Sequence, residues 1–225
     1  MIIVLSDVDG TVIDHETYEP GPARDAVRRL KEKGVPIILV SSKTSAELRV
    51  WLERFELVEP VVPENGGAIE VPIGYRGWEL PWPEKEGFWV KRLAPPLRKF
   101  YEVIDELNAK GGFRLRPITE VPPEEISRHT GLPVWMAELA RRREYSMPVV
   151  VEEGSPEELA RALAERGFKL VLGRRFHHVA ASDKGRAARE LISLYKEFYK
   201  DVKLVAIGDN VNDEPMLRLA DYPVL

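Results

Sequence analysis

Residues 1–14, "MIIVLSDVDGTVID", decide the fold. Ile2, Ile3, Val4 and Leu5 make an unbroken apolar run rich in β-branched residues, too short for a helix, and it reads as a strand buried on both faces. The strand runs into Asp7 and Asp9, one residue apart, and then Gly10 and Thr11, which suit a sharp exit of the backbone. Two carboxylates directed at one place repel, so the fold must bring them positive charge. A surface turn has a similar composition. What separates the two readings is the rest of the chain.

Working outward, strands and helices alternate. "PGPARDAVRRLKEKG" (20–34) is an amphipathic helix with Ala23, Ala26, Val27 and Leu30 on its apolar face and Gly34 as its stop. "VPIILV" (35–40) is a second buried strand and "SAELRVWLERFEL" (45–57) a second helix. Near the C-terminus come a helix, "DKGRAARELISLYKEFYK" (183–200), a strand, "VKLVAIGD" (202–209), and a short helix, "NDEPMLRLAD" (212–221). Continuous apolar strands joined by helices predict a doubly wound parallel sheet covered on both faces. Ligands of such sheets bind beyond the carboxyl ends of the strands, where "SDVDGT", "VSSKT" and "IGDNVND" fall.

The middle of the chain has another rhythm. From Pro81 to Phe176 short strand-like runs such as "GFWVKRL", "FRLRPI" and "SMPVVVE" mix with helices, one of which opens on Ser155, Pro156 and Glu158. This predicts an α+β domain inserted into the outer one: residues 1–80 and 178–225 form the core domain, 81–177 the insertion.

Bulk properties narrow the chemistry. The 225 residues are 44% hydrophobic, enough for a packed core, and a net charge of -4 argues against nucleic acid or anionic membrane as partner. No apolar stretch approaches a membrane span, and Met1 leads straight into a strand with no signal peptide, so a cytoplasmic location is expected. The absence of cysteine leaves only oxygen and imidazole as metal ligands.

A second acidic cluster, Asp209, Asn210, Asn212 and Asp213, ends another buried strand. Together with Asp7 and Asp9 it makes an anionic, oxygen-only crevice suited to Mg²⁺, with Ca²⁺ as the second choice. Ser41, Ser42 and Lys43 supply a hydroxyl, backbone N–H groups and a cation, and Lys184 a second cation. Carboxylates, metal, hydroxyl and lysines together spell phosphoryl transfer.

These four pieces, "DVDGT", Ser41, Lys184 and "GDNVND", resemble in order and placement the haloacid dehalogenase-like hydrolase superfamily. The insertion resembles the α/β cap of its Cof-type branch. Within that branch "SSKTSAE", "PENGGAI", "RREYS", "GRRFHHV" and "DKGRAA" are similar to the mannosyl-3-phosphoglycerate phosphatases. The resemblance implies a Rossmann-like core with an inserted cap. It implies an Mg²⁺-dependent phosphatase that works through a phosphoaspartate and releases mannosylglycerate, a compatible solute. It implies Asp7 as nucleophile, Asp9 as acid and base, and Mg²⁺ held by Asp7, the Asp9 carbonyl and Asp209, with Asp213 behind them. Ser41, Ser42, Lys184 and Asn212 would bind phosphoryl oxygens. Arg143 and Arg175 would pair with a glycerate carboxylate, Lys43 would sit at the rim, and Glu64 and Asn65 would meet sugar hydroxyls. The expected partner is a small phosphorylated glycoside.

Two departures stand out: Met147 follows "EYS" where the family carries an acidic residue, and the chain stops at Leu225, inside an expected strand and before a closing helix. A broader phosphosugar or phosphoglycolate phosphatase is the alternative within the fold. A non-enzymatic binding module would be expected to lack Asp7, Asp9 or Lys184, and all three are present.

Overall fold

The computed structural model describes residues 1–14, 17–173 and 176–225. The described chain divides into two compact units, Met1–Leu93 with Asp183–Leu225, and Ala94–Ser182.

The first unit starts with β1 (Ile2–Ser6), α1 (Ala23–Glu32), β2 (Ile37–Val40), α2 (Ser45–Arg54) and β3 (Val61–Val62). It continues through β4 (Ala68–Pro72), β5 (Glu84–Lys85) and β6 (Phe88–Arg92). The second unit holds α3 (Arg98–Lys110), β7 (Arg114–Pro117), α4 (Pro123–Thr130), α5 (Val134–Ala140), β8 (Met147–Glu153), α6 (Pro156–Ala164), β9 (Lys169–Val171) and β10 (His177–Ala180). The chain then returns to the first unit with α7 (Lys184–Phe198), β11 (Lys203–Ile207), α8 (Glu214–Leu217) and β12 (Tyr222–Val224).

The larger sheet has the order β12-β11-β1-β2-β3-β4-β6-β5, and its first five strands are parallel. β1 leads through α1 to β2 on one side, while the returning chain reaches β11 on its other side through α7, so the strand order reverses at β1. That reversal opens a crevice at the carboxyl end of β1. Register aligns the three strand ends, with Ser6 opposite both Leu39 of β2 and Ile207 of β11.

Ile3 and Leu5, on one pleat face of β1, share an apolar cluster with Ala187, Ala188, Leu191, Leu194 and Tyr195 of α7. Val4, on the opposite pleat, is equally buried but lies outside that cluster, as expected of a strand covered on both faces. α2 buries Leu48, Trp51 and Leu52. Its amino end carries a capping box: Thr44 accepts from the Glu47 N–H, and Glu47 accepts from the Thr44 N–H.

Two details differ from the sequence reading. Of the four apolar residues on α1 only Val27 is buried, because a helix with two alanines on its apolar face has little to insert into the sheet. "GFWVKRL", grouped above with the insertion, forms β6, which pairs antiparallel with β4 in the larger sheet from Ala68–Arg92 to Pro72–Phe88.

The second unit carries a four-stranded antiparallel sheet of order β7-β8-β10-β9. Phe100, Val103, Ile104 and Leu107 of α3 and Leu159 and Leu163 of α6 are buried, and Phe100 meets Phe168 edge-on at 5.2 Å. The Ser155 hydroxyl accepts from the Glu158 N–H at 3.1 Å and so caps α6. No helix among the described residues is long and apolar enough to cross a membrane.

Candidate active site

Asp7 is the first residue past β1, and its N–H still donates to the Ile207 carbonyl at 2.9 Å. The strand ladder therefore fixes where its carboxylate points. The next residues bend sharply away: Gly10 has φ 80°, and the N–H groups of Val12 and Ile13 both donate to the Val8 carbonyl at 3.0 Å.

Lys184 opens α7 and is buried, with its Nζ 2.5 Å from Asp7 Oδ1 and hydrogen-bonded also to Asp213 Oδ1. An ammonium at a helix amino end opposes the helix dipole, so the two carboxylates are what hold it there. Burial by itself would lower the Lys184 pKa, but Asp7 and Asp213 outweigh it and the net shift is upward. Asp7 moves the other way on balance. Burial raises its carboxyl, Lys184 pulls it down, Asp213 raises it again, and it ends at about 6.

Asp213 is fully buried. Its Oδ2 accepts from the N–H groups of Asp209 at 3.2 Å and Asn210 at 3.0 Å, which closes the loop after β11. Gly208 permits this: a Cβ there would lie 2.5 Å from the Asp213 Cγ. Asp209 itself is exposed.

Carboxylate oxygens of Asp7, Asp209 and Asp213 lie within 4.8 Å of one another. Three carboxylates face one buried ammonium there, an excess of two negative charges. An all-oxygen set of this kind can hold a hard divalent cation, with waters and a phosphate completing its shell. The residues fit the group.

The loop after β2 forms the other wall. Ser41 is fully buried, and its Oγ accepts from the Lys43 N–H at 3.3 Å; Ser42 is half-buried beside it. Lys43, expected at a rim, is only 6% exposed, with Nζ 2.9 Å from Asp9 Oδ1 and 4.0 Å from Glu47 Oε1. Burial would lower its pKa, and Asp9 and Glu47 more than reverse that. Glu64 and Asn65, expected among sugar hydroxyls, are buried as well, and both adopt left-handed backbone at φ 53° and 57°. Their N–H groups donate to the carbonyls of Lys43 at 2.9 Å and Ser41 at 2.8 Å, so this strained turn braces the β2 loop. Asn212 Nδ2 donates to Asn65 Oδ1 at 3.2 Å and ties the β11 loop to the same turn.

In the second unit Arg143 is buried and donates to the Ser146 hydroxyl at 2.9 Å. Arg175 lies outside the described residues. Sequence reading passed over Glu47 and Gly208. The spacing Thr44-x-x-Glu47 carried the signal for the first; nothing local marks the second.

The first unit thus presents a carboxylate, Asp7, held by a fixed lysine and backed by a cation-binding set, with a second carboxyl, Asp9, on its own lysine. This is equipment for moving a phosphoryl group.

Known proteins are similar to this chain in sequence and in fold. The profile of the haloacid dehalogenase-like hydrolases matches residues 4–75. A glucosyl-3-phosphoglycerate/mannosyl-3-phosphoglycerate phosphatase of Persephonella marina is 34% identical, over 100% of this chain and 84% of that protein. A mannosyl-3-phosphoglycerate phosphatase of Pyrococcus furiosus is 35% identical, over 99% of this chain and 90% of its own length. In fold, a subclass IIB sugar phosphatase of the haloacid dehalogenase superfamily superposes with a TM-score of 0.66 at 19% identity, over 99% of this chain and 86% of the other. A protein of Thermoplasma acidophilum also gives 0.66 at 19% identity, over 98% and 90%. Identity of this order along the whole chain, on this sheet and insertion, makes the chain a member of the haloacid dehalogenase-like hydrolases, of their Cof-type branch, and a phosphoric monoester hydrolase.

Proposed function

We propose that this phosphatase hydrolyses mannosyl-3-phosphoglycerate, or its glucosyl analogue, to the glycosylglycerate and phosphate. The observation that carries the chemistry is Lys184 fixed between Asp7 and Asp213 at the end of β1, two residues before a separately paired Asp9. The substrate follows from the named activities of relatives about one-third identical along the whole chain.

Asp7, the Asp9 carbonyl and Asp209, with Asp213 behind them, would hold Mg²⁺, which when bound would supply the positive charge these carboxylates and a phosphoryl group lack. The Asp7 carboxylate attacks phosphorus in line. As the phosphorus–oxygen bond to the glycerate breaks, Asp9 gives its proton to the departing oxygen. Asp9, now a carboxylate, takes a proton from water, whose oxygen attacks the phosphoaspartate and frees phosphate and Asp7. Ser41, the Ser42 N–H, Lys184 and Asn212 hold the phosphoryl oxygens and fix the line of attack. Arg143 pairs with the glycerate carboxylate, for which a guanidinium fork is suited.

Phosphate release from a panel tests this. We expect kcat/KM for the two glycosyl phosphoglycerates to exceed that for phosphoglycolate and simple sugar phosphates by at least about tenfold. Activity should vanish with chelator and return with Mg²⁺ but poorly with Zn²⁺, given ligands that are all oxygen. Equal rates across the panel would replace this reading with a broad phosphosugar phosphatase.

A further inference from the structure

Lys43 and Glu47 are buried charges that the reaction as described does not use. Lys43 Nζ lies 2.9 Å from Asp9 Oδ1 and 4.0 Å from Glu47 Oε1, with the Tyr18 ring centroid 5.7 Å away. Glu47 is 2% exposed, and its Oε2 accepts from the Thr44 N–H at 2.8 Å and the Thr44 hydroxyl at 3.0 Å. A backbone cap thus anchors the glutamate, the glutamate faces the lysine, and the lysine grips one oxygen of Asp9.

We infer that Lys43, anchored by Glu47, is the positioning residue of Asp9 and not a substrate contact. The inference rests on Asp9 being the acid and base. With Oδ1 held by Lys43, the other oxygen, Oδ2, is the one left to carry the proton. When that proton passes to the departing oxygen, negative charge develops on Asp9, and the ammonium already stands where the charge appears. Glu47, 4.0 Å away and itself held by the Thr44 cap, gives the buried ammonium a second counter-charge and a fixed place from which to hold Asp9. The charge count supports this: Lys43 serves Asp9 and Glu47, while Lys184 serves Asp7 and Asp213, so each of the two aspartates has a lysine of its own.

The test compares leaving groups. Glycerol 2-phosphate releases an alkoxide that needs the proton, whereas 4-nitrophenyl phosphate releases a phenolate that does not. In a single turnover, Lys43→Met and Glu47→Gln should each slow release of the leaving group, the first step, by at least about tenfold on the alkyl ester and by less than about threefold on the aryl ester, with KM nearly unchanged. Hydrolysis of the phosphoaspartate should slow alike for both. Glu47→Gln keeps an amide oxygen for the cap, so it separates charge from folding. Lys43→Arg should recover part of the loss. In an Asp9→Asn background, Lys43→Met should add almost nothing, since both act through one carboxyl. A rise in KM on both esters with kcat kept would return Lys43 to the substrate rim and overturn the inference. Equal losses in the first step on both esters would make the pair merely structural. If the first step in Asp9→Asn shows no dependence on the leaving group, the acid–base reading fails first. If Asp9→Asn shows it and the Lys43 and Glu47 variants do not, only the inference fails.

Discussion

Asp7 shows at residue scale how function and stability oppose each other. Its carboxyl, ordinarily near 3.8, is pushed up to about 6, chiefly by burial. A carboxyl raised in the folded state favours folding in its neutral form, and its ionisation costs stability as pH rises from about 4 through 6. Fully ionised, the cost is on the order of 3 kcal/mol, at about 1.4 kcal/mol for each tenfold change in acidity. Asp7→Asn should therefore abolish turnover, because an amide does not attack phosphorus, and should also gain stability over wild type as pH rises. Melting both proteins in chelator from pH 4 to 8 checks this: the difference should grow up to about pH 6 and then level off. A difference independent of pH would mean that Asp7 is not held in a charge-poor site. Asp7, Asp9 and Lys184 were legible because strand ends and helix starts fix their positions through the backbone. The environment of Lys43 was not, because which way a long side chain turns depends on Glu47 and Asp9 together, and no spacing rule combines the two.

At the scale of elements, the loop after β11 depends on one missing methyl group. Gly208 lies so close to Asp213 that a Cβ would sit 2.5 Å from Asp213 Cγ. Asp213 would have to move, and with it go its bonds to Lys184, Asp209 and Asn210. Gly208→Ala should lower kcat by at least about tenfold and stability by about 1–3 kcal/mol, as overpacking does. Gly74→Ala is the control: it too loses a glycine, at φ 79°, but a Cβ there meets nothing within 4 Å. Its cost should be confined to stability, read by urea unfolding, with phosphate release unchanged. If Gly208→Ala turns over normally, Asp213 is not the brace that the geometry makes it. Most elements of this unit were readable. β1, β2, α2, α7 and β11 announce themselves by unbroken apolar runs or helical periodicity. The β4–β6 pairing was not readable, since antiparallel strands set by long-range register look locally like those of the insertion. The Glu64-Asn65 turn escaped for a related reason: residues other than glycine adopt left-handed backbone only when surrounding packing imposes it.

At the scale of the whole molecule the question is how a site for phosphate becomes selective for one ester. Asp7, Asp9, Ser41 and Lys184, the residues proposed to handle phosphorus, lie in the first unit, whereas the buried guanidinium of Arg143 lies in the second. Arg143 also helps to keep His178 neutral: burial first, and then the charges of Arg143 and His177, drive that imidazole down to about 3. Arg143 is thus a buried guanidinium that holds the Ser146 hydroxyl beside a neutral His178, and its planar fork has the shape to take a carboxylate in two parallel bonds. If Arg143 pairs with the glycerate carboxylate, the contact is remote from phosphorus, and its binding energy serves to orient the reacting atoms. Losing it should then reduce kcat as well as raise KM. Removing one partner of a desolvated charge pair costs about 2–5 kcal/mol, so Arg143→Ala should lose at least roughly tenfold in kcat/KM for mannosyl-3-phosphoglycerate. Hydrolysis of 4-nitrophenyl phosphate, which has no carboxylate, should change less than about twofold. Arg143→Lys should recover only part of the loss, because an ammonium cannot form the two parallel bonds of a guanidinium. Steady-state kinetics on the two substrates decides the matter. Equal losses on both would make Arg143 a structural cation beside Ser146, and no loss on either would place recognition of the carboxylate elsewhere in the chain.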